Sequence, residues 1–166
     1  TDADEVEWYL NGSLVGKSKT EKAISSLDIP YEKGELEVIA YKDGKVCGRS
    51  SLHTVGKAHS IKLSPETHEI TADGRDLCYI DIFVTDENGD RIPDSKAELS
   101  CIVDGGELMG IFSGDPKNED SYGSNICHAF EGRAVAIIKT SAAGEVTVTV
   151  GSPKLYSGKA IIKAVK

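Results

Sequence analysis

Residues 70–93, ITADGRDLCYIDIFVTDENGDRIP, constrain the fold of this chain more than any other stretch. Cys78, Ile80, Ile82 and Val84 fall on one side of an alternating pattern, and Tyr79, Asp81 and Thr85 on the other. That is the period of a strand with one buried face. Asp73-Gly74 and Asn88-Gly89 bound it with residues that tolerate the positive φ of tight turns. The same grammar recurs along the sequence, so the expected class is all-β, built from β-sandwich modules.

From Ile61 onward the pattern predicts strands over 60–63, 68–71, 77–85, 97–103, 107–111, 133–139, 145–150 and 158–165. These suffice for one complete immunoglobulin-like sandwich over 57–166. Before it, Val6, Trp8 and Leu10 share a strand face, and Asn11-Gly12 turns the chain into Ser13–Gly16 as a hairpin. Glu35–Tyr41 and Lys45–Leu52 form a second pair about Asp43-Gly44, and only Thr20–Ser26 has a faint helical look. Residues 1–56 hold too few strands to close two sheets, so the first module is read as truncated, with its missing strands upstream. The pause at Val55-Gly56-Lys57-Ala58 marks the hinge. The chain opens inside a strand pattern, which leads to the expectation of a fragment whose targeting segment lies upstream.

The 166 residues carry 19 Lys and Arg against 27 Asp and Glu, a net charge of −8. That balance disfavours nucleic acid and anionic membranes, and no apolar run reaches the roughly 18 residues of a membrane span. Cys47, Cys78, Cys101 and Cys127 are scattered without a CxxC, so no zinc or redox motif arises. Cys78 and Cys101 face inward and read as buried free thiols, with a Cys78–Cys101 bridge the rival. His53, His59, His68 and His128 are isolated rather than paired as metal ligands. Asp86-Glu87-Asn88-Gly89-Asp90 lacks the spacing of a calcium loop and reads as a solvated turn. No metal or cofactor is expected.

Paired-carboxyl catalysis needs two acidic groups held close together, one of them keeping its proton while the other is ionised. The acidic residues here sit mostly in turns and on polar strand faces, so no catalytic residue is assigned. Trp8 alternates in phase with Val6 and Leu10 and is read as core rather than as an exposed sugar platform. The long irregular stretch Phe112–Phe130 breaks the short-turn grammar. Its Asp115, Glu119, Tyr122 and His128 are the candidate docking or ligand residues.

DEVEWYLNGSLVG, IPYEKGELEVIAYKDGKV, the HTVG before ITADGRDL, SGDP at 113–116 and AFEGRAVAIIKTSAAGEVTVTV at 129–150 follow one another in order. Together they resemble the carboxy-terminal modules of bacterial glycoside hydrolase family 2 enzymes of the β-galactosidase type. The resemblance implies immunoglobulin-like domains placed after a catalytic barrel whose glutamates match no position here. It implies a non-catalytic accessory role, partnership with the upstream catalytic domain or a second subunit, and an extracytoplasmic, periplasmic location. Ser124-Asn125-Ile126-Cys127-His128 departs from the basic residues expected there, which counts against salt-bridged docking. Two other readings stand beside it. One is an adhesin-like module of the invasin or intimin type, which shares the ITADG-strand grammar; the other is a carbohydrate-binding module.

Overall fold

In the computed structural model, which describes residues 1–166, Asn11 and Gly12 sit at φ 51° and 77°, the two positive values a two-residue hairpin turn requires. They join β1 (Glu5–Leu10) to β2 (Ser13–Lys19). Asp43 and Gly44, at 50° and 71°, do the same for β3 (Glu35–Lys42) and β4 (Lys45–His53). These four strands form one antiparallel sheet in the order β2-β1-β3-β4, within the unit Thr1–Thr54. Thr20–Ser26 is not helical. Glu21 and Ile24 exchange both backbone hydrogen bonds, at 2.8 and 2.9 Å, across Lys22 and Ala23 at positive φ. A segment of two turns cannot offset the cost of helix nucleation, so the tight turn prevails.

Trp8 departs from the expected core placement. Val6 is buried, but Trp8 and Leu10 are only half-buried, because a single sheet covers one side of them. The indole Nε1–H donates to Ser18 Oγ at 2.8 Å, and Ser18 Oγ lies 2.6 Å from Ser25 Oγ. The Ser25–Leu27 segment therefore crosses this face as a partial lid. It can do so because Gly16 has no side chain; a Cβ there would lie 2.6 Å from Leu27 Cδ2.

The second unit, Val55–Lys166, begins with β5 (Ser60–Pro65), β6 (Glu69–Thr71) and β7 (Cys78–Thr85). Then come β8 (Glu98–Asp104), β9 (Glu107–Phe112) and β10 (Ile126–His128). β11 (Arg133–Lys139), β12 (Gly144–Ser152) and β13 (Leu155–Val165) complete it. Hydrogen bonding runs β10-β8-β12-β13-β5-β7-β11-β9, with β6 beside β13. The halves on either side of the β13–β5 junction turn their inner faces onto one core, an immunoglobulin-like sandwich. Ile80, Ile82, Val84, Leu99, Ile111, Ile138, Val146, Val148, Val150 and Ile162 are its fully buried large aliphatic residues. At the junction Gly158 is required by close approach, since a Cβ would lie 2.6 Å from the Ile61 carbonyl oxygen.

The inward face of β7 is as the alternation dictates: Cys78, Ile80, Ile82 and Val84 are wholly buried. Thr85, expected outside, is buried too. Its Oγ1 lies 3.0 Å from Ser60 Oγ and 3.2 Å from the Ser60 carbonyl, so β5 covers the end of the strand. Nor is Asp86-Glu87-Asn88-Gly89-Asp90 solvated throughout. Asp86 is buried, its Oδ1 accepting the amides of Asn88 and Asp90 at 2.9 Å and its Oδ2 that of Gly56 at 2.7 Å. All four cysteines are free thiols; Cys78, Cys101 and Cys127 are buried and Cys47 is exposed.

Candidate functional site

The Phe112–Phe130 connection is ordered by its own side chains. Asp115 Oδ1 accepts the Lys117 amide at 2.8 Å and the Asp115 carbonyl accepts the Asn118 amide at 3.1 Å, which close a turn. Asn118 Oδ1 then accepts the Asp120 amide at 2.9 Å. Asp120 fastens the loop to β10: its Oδ2 takes the His128 amide at 2.8 Å, and its Oδ1 lies 3.0 Å from His128 Nδ1. Both His128 contacts, the amide first, hold the Asp120 carboxyl below the usual aspartate range. The short β10, which the irregular sequence did not suggest, pairs with β8 in this stretch.

Of the four residues singled out beforehand, His128 joins Asp120, Asp115 serves its local turn, and Glu119 is exposed. Tyr122, also exposed, rests on Phe112 with ring centroids 5.5 Å apart. The four share no single contact. Phe112 and Phe130, where the connection leaves and rejoins the sheet, instead line a cleft of about 330 Å³ with Asp81, Gly114, Glu131 and Arg133. Phe130 and Arg133 exchange backbone hydrogen bonds at 2.9 Å around Glu131 and Gly132, at φ 51° and 68°. This is a two-residue turn that launches β11. The Glu-Gly dipeptide was the available signal for it. Asp81 and Arg133 come together only through the β7–β11 pairing, which no spacing reveals.

The first unit has its own polar cluster. Glu7 Oε2 accepts the hydroxyls of Tyr9 and Tyr41, both at 2.8 Å, and Oε1 pairs with Lys17 at 2.5 Å. Lys17, then the two hydroxyls, draw the Glu7 carboxyl down to about 2. Asp2 and Asp73 also move downward, through Lys42 and through the backbone amides of Asp76 and Arg75. These shifts run opposite to what a general acid needs. On the other face of the same sheet lies a depression of about 460 Å³, bordered by Val6, Trp8, Ile24, Val38, Ala40 and Arg49.

Residues 61–161 match glycoside hydrolase family 2 C-terminal domain 5, and residues 1–48 match a domain of unknown function, DUF4982. A beta-galactosidase of Bacteroides ovatus is 33% identical over 142 residues, 82% of this chain but 16% of that protein. A beta-galactosidase of Thermoanaerobacter pseudethanolicus is 29% identical over 129 residues, 66% of this chain and 17% of its own length. A glycosyl hydrolase family 2 member from Bacteroides cellulosilyticus superposes with a TM-score of 0.94 at 26% identity, over 99% of this chain and 22% of that one. For a beta-glycosidase from Bacteroides vulgatus the values are 0.87 and 28%, over 98% and 21%. The chain spans less than a quarter of each of these proteins, and the part it matches is their C-terminal region. By the match that covers most of its length, the chain belongs to the glycoside hydrolase family 2 C-terminal domain 5 family.

Proposed function

We propose that this chain is a non-catalytic accessory region of a bacterial, periplasmic family 2 glycosidase of the β-galactosidase type, and that it supports the catalytic part of the same polypeptide. The observation that carries this reading is the depression around Trp8. A sheet face presenting Val6, Trp8, Val38 and Ala40, with only the Ser25–Leu27 segment lying over part of it, has the apolar character of an internal surface. The residues that border this face come from β1, β3 and β4, with Thr1 and the Ala23–Ser25 turn at its edge. Family membership favours this reading over the adhesin alternative.

The test has two arms. The isolated chain should hydrolyse no nitrophenyl galactoside, and turnover that scales with its concentration through repurification would defeat the proposal. In the full-length enzyme, Trp8→Asp and Val38→Asp should lower thermal stability and kcat/KM together. A full-length enzyme indifferent to both substitutions would show that this face supports nothing.

A further inference from the structure

We propose that the cleft between Phe112, Phe130 and Arg133 binds a single neutral pyranose unit of a saccharide. Its volume of about 330 Å³ lies at the small end of the roughly 300–1,000 Å³ of small-ligand sites. Its lining residues include two phenylalanines, Phe112 and Phe130, and three charged residues, Asp81, Glu131 and Arg133. A sugar ring has the matching division, with C–H faces for the aromatics and hydroxyls around its rim for the charged groups.

The aromatic wall is built rather than incidental. The Phe112 ring lies over Gly110, where a Cβ would come within 2.2 Å of its ζ carbon, so β9 has a glycine at the position the ring occupies. Tyr122, reaching in from the loop, backs the same ring at 5.5 Å. The polar wall is set but not saturated. Arg133 stands over the Phe83 ring at 5.4 Å, while its terminal nitrogen is 3.9 Å from Asp81 Oδ1, beyond hydrogen-bonding distance. Guanidinium and carboxylate, both half-exposed, therefore keep donors and acceptors for adjacent hydroxyls. Of the charged residues that line the cleft two are carboxylates and one a guanidinium, and the neighbouring Arg91 guanidinium is taken up by the Glu131 carbonyl at 2.9 Å, so a neutral sugar is favoured over an anionic one. This site does not depend on the accessory role proposed above.

The experiment is a titration of the whole 166-residue chain, followed by amide NMR, with methyl β-D-galactopyranoside, lactose and sodium glucuronate as probes. The neutral sugars should shift amides of 112–114 and 130–135 and of Asp81, with a Kd on the order of 1 mM. Arg133→Gln and Asp81→Asn, both on the half-exposed outer face, should weaken binding about tenfold or more while leaving the rest of the spectrum in place. Phe112→Leu should do the same through the stacking wall. Absence of shifts with either neutral sugar, shifts located elsewhere, shifts that survive Arg133→Gln unchanged, or equal binding of glucuronate would each overturn the assignment.

Discussion

Asp86 Oδ2 accepts the backbone amide of Gly56 at 2.7 Å, across 30 residues of sequence. The same carboxylate caps the Asn88 and Asp90 amides. One buried side chain thus ties the start of the second unit to the turn after β7. Gly56 is small for a reason, since a Cβ would lie 3.2 Å from that oxygen. Asp86→Ala should lower the stability of the second unit by about 3 kcal/mol, because three amides lose a charged acceptor. Asp86→Asn should cost less. Urea unfolding of both variants checks the order, and an alanine variant as stable as the parent would mean that water replaces the carboxylate without loss.

Glu7 gives the first unit an acid limit. Its folded value of about 2 lies below the roughly 4.3 of an unfolded glutamate, so the unfolded chain takes up the proton first as pH falls. The contribution is complete above the unfolded value and disappears as pH drops from there toward 2. Glu7→Gln should flatten this dependence. Trp8 is the chain's single tryptophan, so its fluorescence during urea unfolding at about pH 6 and about pH 3 reports the effect for this unit. Equal midpoint changes in both proteins would contradict it.

Tyr9 and Tyr41 carry the opposite consequence at high pH. Hydrogen bonding to Glu7, then burial, raises both phenols above their ordinary value. Their contribution is complete below the unfolded value of about 10 and is lost as pH rises through the folded value. Tyr9→Phe should therefore show a weaker loss of stability in alkaline urea titrations than the parent chain does.

Gly132 and Gly89 should respond differently to alanine. Both have positive φ, at 68° and 86°, but a Cβ on Gly132 would lie 2.1 Å from the Ile92 carbonyl oxygen, whereas nothing surrounds Gly89. Gly89→Ala should cost about 1 kcal/mol from backbone conformation alone. Gly132→Ala adds backbone displacement and should cost more than about 2 kcal/mol. Comparable melting temperatures for the two variants would indicate that the Arg91–Ile92 segment yields easily.

The thiols should divide by burial. Desolvation pushes Cys101 up to about 11 and Cys127 to about 12, and raises Cys78 as well, so none offers a thiolate near neutrality. Ellman's reagent at about pH 8 should label Cys47 alone in the folded chain and all four cysteines in denaturant. Rapid labelling of a second thiol would place the core in exchange with an open state.

Alternation and turn chemistry alone determined that this chain is all-β, where its hairpins turn, and which side of β7 lies inside. Those properties are local: side-chain direction reverses at each strand residue, and Asn11-Gly12 and Asp43-Gly44 supply positive φ wherever they stand. The motif order also carried the family resemblance. Only tertiary structure could bury Thr85 beneath Ser60, set Asp86 against Gly56, or leave Trp8 half-covered, because each depends on what crosses above a strand rather than on the strand itself. The loop illustrates the same division. Its length and polar content were visible in the sequence, but its Asp120–His128 tether depends on how the connection folds back onto β10, and the meeting of Phe112, Asp81 and Arg133 at its base arises from pairings between distant strands. Register between those strands is chosen by burial of the whole inner face, a collective quantity that no single segment contains.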